Sequence, residues 1–212
     1  ADLDTLLETA RLDPDPMSRS VATRAVGAIG GPRAVLGLSD LWPGADPAEE
    51  LAIVDAWGTP RSFSAGGEDA LVRVAESGGS IASVVAASLL ARAPGAAQRD
   101  GRAVLTRAIE DGTSDERRLA VELAGLDDPD ALAAIAAAGN GSDAAVRVTA
   151  LSRLAEVASR RTAALHTLEG LAAGADGAAR QARFALANAS DPAAIPLLEH
   201  ELATEGPGLR TR

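Results

Sequence analysis

The chain has 212 residues, enough for one ordinary domain or a medium-length repeat array, with 47% hydrophobic residues, 2% aromatics, no tyrosine and no cysteine. Its formal charge is −10, all 20 of its basic residues are arginine, and its pI is about 4.7. An acidic chain repels phosphate backbones and anionic membranes, and without cysteine it has no disulfide, thiolate nucleophile or cysteine metal site, so these classes are excluded.

The apolar residues are mostly alanine and leucine, which suits thin layers of helices packed at axis separations of about 8–10 Å and argues against strands, where alanine is depleted. The string starting at Ala25 (Ala-Val-Gly-Ala-Ile-Gly) has echoes starting at Ile53, Ala87, Ala120, Ala150 and Ala182. The step is roughly 30 residues each time, which is the mark of a repeat architecture. A single repeat domain is expected over 1–212, with a leading helix in about 1–14, repeats over 15–205 and a tail over 206–212.

In chain order, Asp2–Leu12 is a leading helix placed to cover the first unit's open face. Unit one pairs Ser18–Ile29 with Arg33–Leu41, and unit two pairs Pro47–Trp57 with Glu68–Glu76. Unit three pairs Ser80–Ala91 with Ala97–Glu110, and unit four pairs Ser114–Leu126 with Asp130–Ala138. Unit five pairs Asp143–Ala158 with Arg161–Ala173, and unit six pairs Gly177–Ala187 with Pro192–Thr204. The Asp-Pro pairs beginning at Asp13, Asp15, Asp46, Asp128 and Asp191 mark helix starts, because aspartate accepts the orphan N–H groups and proline tolerates the first helical position. Gly30, Gly58, Gly112 and Gly139 are expected to close helices in a left-handed cap, and Gly78-Gly79-Ser80 to end one helix and cap the next. Two connections stand apart: Thr59–Gly67, with Pro60, Phe63 and Gly66-Gly67, and Ala93–Gln98. In repeat arrays such insertions gather on one face, often the binding face.

The grammar of Asp15-Pro-Met-Ser-Arg-Ser-Val-Ala-Thr-Arg-Ala-Val-Gly-Ala-Ile-Gly30, and of Asp143-Ala-Ala-Val-Arg-Val-Thr-Ala-Leu-Ser-Arg-Leu-Ala155, resembles short HEAT repeats of the phycobilisome lyase type. The resemblance covers nearly the whole chain. It implies an all-α fold: an α-solenoid of about six HEAT-like helical hairpins plus an N-terminal capping helix. Tetratricopeptide repeats fit the period but need large rings that are missing here, and the Thr-Pro-Leu-His signature of ankyrin repeats is absent.

No catalytic constellation emerges. His166 and His200 sit on second helices without a second histidine one turn away, and His200-Glu201 lacks the rest of a zincin motif. Gly78-Gly79-Ser80 has no phosphate-loop lysine, and no Gly-x-Ser-x-Gly elbow occurs. The aspartate-rich turns lack the glycine and distal glutamate of a calcium loop. No cofactor and no metal are therefore expected, and the expected role is a non-catalytic scaffold or adaptor for a protein partner. The alternative is the enzyme or enzyme subunit of the lyase type that the resemblance implies, acting on a tetrapyrrole or through a metal.

Two groups are candidates for partner contact. Trp42, Trp57 and Phe63 hold three of the four aromatics, and tryptophan is enriched in interface hot spots. Trp57 ends a helix where the echoes carry Ile29 and Ala124, which favours a seam between units for that ring. Arg99, Arg102, Arg107, Arg160 and Arg161 lie at or near second helices, which line the concave side of HEAT-type arrays and would hold an acidic partner strand. The longest largely apolar run, Ile81–Ala91, is far short of the roughly 20 residues that span a membrane. No signal peptide is read, and a cytoplasmic location is expected over an exported one.

Overall fold

The structure, a computed structural model, describes residues 2–204. Among the described residues every regular element is helical and no strand occurs. The tail expected over 206–212 lies outside them. The chain groups into two compact units, the first up to Ala108 and the second from Ile109.

The first unit holds α1 (Leu3–Leu12), α2 (Pro16–Ile29), α3 (Pro32–Leu41), a 3-10 turn over Trp42–Gly44, and α4 (Pro47–Trp57). After them come the one-turn α5 (Pro60–Ser62), a π-type segment over Phe63–Gly67, α6 (Glu68–Ser77), α7 (Ile81–Ala91) and α8 (Ala96–Asp111), whose last residues belong to the second unit. That unit continues with α9 (Ser114–Leu123), α10 (Pro129–Ala138), α11 (Ala144–Leu154), α12 (Arg161–Ala172), α13 (Gly177–Asn188) and α14 (Ala194–Thr204).

The caps explain where these helices begin. The side chains of Asp2, Asp15, Asp46, Asp128, Asp143 and Asp176 accept first-turn N–H groups, as do those of Ser80 and Thr113. Asp46 with Glu49, and Thr113 with Glu116, close reciprocal capping boxes. Two Asp-Pro pairs behave differently from expectation. Asp13 caps the C-terminal end of α1, and its carboxylate accepts from the Asp15 N–H at 2.9 Å. Asp191 accepts from the Ala193 N–H at 2.9 Å, a turn that precedes α14 without starting it.

Helix ends need a second correction. Gly30 (φ 67°, ψ −168°) and Gly78 (φ 61°) take backbone shapes that only glycine adopts freely. Gly58 (φ −71°) and Gly139 (φ −62°) remain right-handed instead. Their smallness serves packing: a Cβ on Gly58 would sit 2.8 Å from Leu89 Cδ1, and one on Gly139 3.3 Å from Leu154 Cδ1. Helix α9 stops at Leu123 because Ala124 is extended, short of the expected Leu126. Helix α11 stops at Leu154, after which the Glu156 and Val157 N–H groups bond back three residues, to Arg153 O and Leu154 O.

Packing follows the order of the chain. In the first unit α1 lies on α2 and α3, α2 on α4, α4 on α7, and α6 on α7. In the second, α9 lies on α11 and α11 on α13, with α10 against α11, α12 against both α11 and α13, and α14 against α13. Within each unit, helices thus pack mainly on those next or next but one in the chain. Small residues set the spacing: a Cβ on buried Gly27 of α2 would lie 2.5 Å from Ala56 Cβ of α4. Larger anchors fill the layers, Leu38, Ile53, Leu71 and Leu90 in the first unit and Ile135, Leu168 and Leu186 in the second.

Candidate functional site

The aromatic group belongs wholly to the first unit. Trp57 ends α4 and is 2% exposed, so its ring is core. Trp42 opens the 3-10 turn, is half-buried, and stacks on Trp57 with centroids 5.4 Å apart and planes tilted by 36°, within the range of offset aromatic pairs. The buried ring fixes the orientation of the partly open one. The Trp57 Nε1–H is buried without a hydrogen-bond partner. Phe63, also half-buried, begins the π-type segment, in which Gly66 has φ 109°.

The connection over Thr59–Gly67 is a short helical turn followed by a kink, non-helical at Ala65 and Gly66, and much of it is packed. Thr59 Oγ1 and Ser62 Oγ donate to the Gly27 carbonyl at 2.7 and 3.2 Å, and Ser62 is fully buried. The Gly31 N–H reaches the Arg61 carbonyl at 3.4 Å, and a Cβ on Gly30 would lie 2.4 Å from Arg61 Cβ. The insertion is therefore wedged into the α2–α3 turn, and this wedge holds Phe63 in place. Beside the 3-10 turn is a cavity of about 320 Å³ that Leu41, Gly44 and Ala45 help to line, with Arg11, Asp40 and Glu49 as its charged residues.

The arginine candidates separate. On α8, Arg99 and Arg107 are exposed and Arg102 is half-buried. Arg102 and Arg107 are five residues apart, about 140° around a helix, so the three form no single stripe. Arg161 is engaged within the second unit: its guanidinium donates to Ala155 O at 3.0 Å and to Ala189 O at 2.7 Å, at the ends of α11 and α13. Arg160 precedes α12, is exposed, and has no side-chain partner among the described residues. It lies at a second cavity, of about 290 Å³, bounded by residues of α10, α11 and α12.

Other arginines share the structural role of Arg161, and the sequence reading missed them. Arg117 donates to Ile109 O at 2.9 Å, Arg153 to Ala124 O at 2.9 Å, and Arg183 to Ala172 O and Gly174 O at 3.0 and 2.5 Å. Each cation meets the negative, carbonyl-rich end of a helix. A register signal was available. Arg19, Arg117, Arg147 and Arg180 each follow an N-cap residue by four. Arg19 of α2 pairs with Glu49 and lies 3.9 Å from Asp46, the cap of α4. Arg117 of α9 helps hold the carboxyl of Asp143, the cap of α11, below its ordinary range, after the larger effects of hydrogen bonds from Ser114 and the Val146 N–H. Two of these arginines, Arg19 and Arg117, thus act on the capping residue of a neighbouring helix.

His166 is exposed, with Nδ1 3.6 Å from Glu169 Oε2. The side chain of His200 lies outside the described residues. No helix among the described residues is long and apolar enough to cross a membrane. No protein-family model matches the chain, and no curated protein matches it.

Proposed function

We propose that the chain is a scaffold or adaptor of short HEAT-like hairpins, and that it binds a partner protein through the Trp42 and Phe63 end and the second-helix face. The observation that carries this reading is the pair Trp42 and Trp57: a half-open indole stacked on a buried one. Such a surface is ordered before contact, so binding loses little side-chain freedom there. Serial packing of α2, α4 and α7, and of α9, α11 and α13, supports the repeat reading, since each hairpin buries its apolar stripe on its neighbours.

Co-purification at native expression tests the partner site, comparing wild type with Trp42→Ala/Phe63→Ala. The double variant loses the partner; unchanged recovery rejects the aromatic end. A stoichiometric chromophore or metal on the purified protein would favour a lyase-type enzyme instead.

A further inference from the structure

We propose that the cavity bounded by α10, α11 and α12 captures the C-terminal residue of a partner protein, taking a free α-carboxylate and an aliphatic side chain together. This rests on protein binding as the role proposed above and names part of the partner's chemistry. Two features of the second unit define the ligand. Leu151 and Leu154 of α11, with Ala163 and Ala164 of α12, give the cavity an apolar side, facing a polar one with Ser159 and Thr167. Arg160 is its one charged lining residue, in a chain whose net charge is −10. The neighbouring cations are occupied: Arg161 by the Ala155 and Ala189 carbonyls, Arg153 by the Ala124 carbonyl and Glu156. The Arg160 guanidinium has no partner among the described residues, and a guanidinium matches a carboxylate with two parallel hydrogen bonds.

The backbone adds to the same preference. Arg160 occupies the N-cap position of α12 without a side-chain cap; the Arg160 and Arg161 N–H groups are taken by the Val157 carbonyl, and the positive end of the helix dipole favours a negative ligand beside it. Asn140 uses its amide nitrogen on the Ala136 carbonyl at 3.1 Å, which leaves its oxygen to accept an N–H from an incoming chain. At about 290 Å³ the cavity is at the small end for ligand sites. A site of that size suits a single residue, and a C-terminal leucine, isoleucine or valine brings the aliphatic group and the carboxylate together. An internal glutamate or aspartate brings the charge without the apolar group.

The test is fluorescence anisotropy of the full chain with a labelled short peptide ending in leucine. It is compared with the same peptide as its C-terminal amide, and with an amidated peptide carrying an internal glutamate. Arg160→Gln removes the cation at an exposed site with no structural contact, and Ala163→Leu fills the cavity from an exposed helix position; circular dichroism verifies that both fold. The free carboxylate binds saturably. Amidation and Arg160→Gln each weaken binding by roughly tenfold or more, and Ala163→Leu removes it. Equal affinity for acid and amide, equal affinity for the internal glutamate, an unchanged Arg160→Gln, or no binding at millimolar peptide overturns the proposal. If the peptide fails while partner recovery stays sensitive to Trp42→Ala/Phe63→Ala, the pocket alone is wrong. If both fail, the protein-binding reading falls with it.

Discussion

Replacing Gly27 by alanine tests the closest helix crossing in the first unit. A Cβ there would lie 2.5 Å from Ala56 Cβ and 2.6 Å from Ala56 Cα, where carbon contacts settle near 3.5–4.0 Å. Helices α2 and α4 must then part by about 1 Å, an overpacking cost of about 1–3 kcal/mol, and the backbone contact puts this crossing at the upper end. The same shift stretches the hydrogen bonds from Thr59 and Ser62 to the Gly27 carbonyl, worth about 1 kcal/mol each. Alanine's better helix propensity returns about 1 kcal/mol. The expected net loss is about 2–3 kcal/mol. Both tryptophans are in the first unit, so urea unfolding followed by their fluorescence reports on that unit. With a slope of about 1.5 kcal/mol per molar, the midpoint falls by roughly 1.5–2 M. A variant that unfolds at or above the wild-type midpoint would refute the close approach of α2 and α4.

The same crossing shows which features of the chain were legible beforehand. Helix positions follow from the thirty-residue period and from residues that act locally. Asp46 caps α4, Glu49 reaches back to it, and the helix runs Pro47–Trp57 as read from the sequence. What escaped the reading depends on partners distant in the chain. The segment Thr59–Gly67 has a loop's composition, yet its hydroxyls find the Gly27 carbonyl more than thirty residues earlier, and tertiary contact overrides local preference. Gly58 and Gly139 close their helices as the sequence suggests, but in right-handed rather than left-handed backbone, and each yields space to a leucine of a neighbouring helix. Arg161 has the composition of a binding residue, while one of its hydrogen bonds goes to Ala189, at the end of α13. In the aromatic group, the apolar echoes of Trp57 at Ile29 and Ala124 already favour burial of that ring, but nothing in the order of the chain shows that Trp42 stacks on it.

Three further perturbations test other parts of the fold. Gly170→Ala in α12 places a methyl where nothing lies within 4 Å, so it stabilises the second unit by about 0.4–1 kcal/mol in thermal unfolding. Trp57→Ala removes a 2% exposed ring and the support of Trp42; it costs about 3–5 kcal/mol and moves the remaining tryptophan emission to longer wavelength. Asp143→Asn tests the acid limb. The Asp143 carboxyl titrates below its ordinary value of 3.8, chiefly because the Ser114 hydroxyl donates to it and then because the Val146 N–H does. Near that value the unfolded chain binds more protons than the folded one, so stability rises with pH there. The contribution is complete above the unfolded value and is lost as pH falls through the folded one. Asp15, held low by the Ser18 hydroxyl, and Asp2, held low by the Thr5 N–H, act in the same direction. Thermal midpoints by circular dichroism should place wild type above Asp143→Asn at about pH 7 and bring the two together by about pH 2–3. A gap that stays constant down to that pH would show that the cap's charge does not couple α9 to α11.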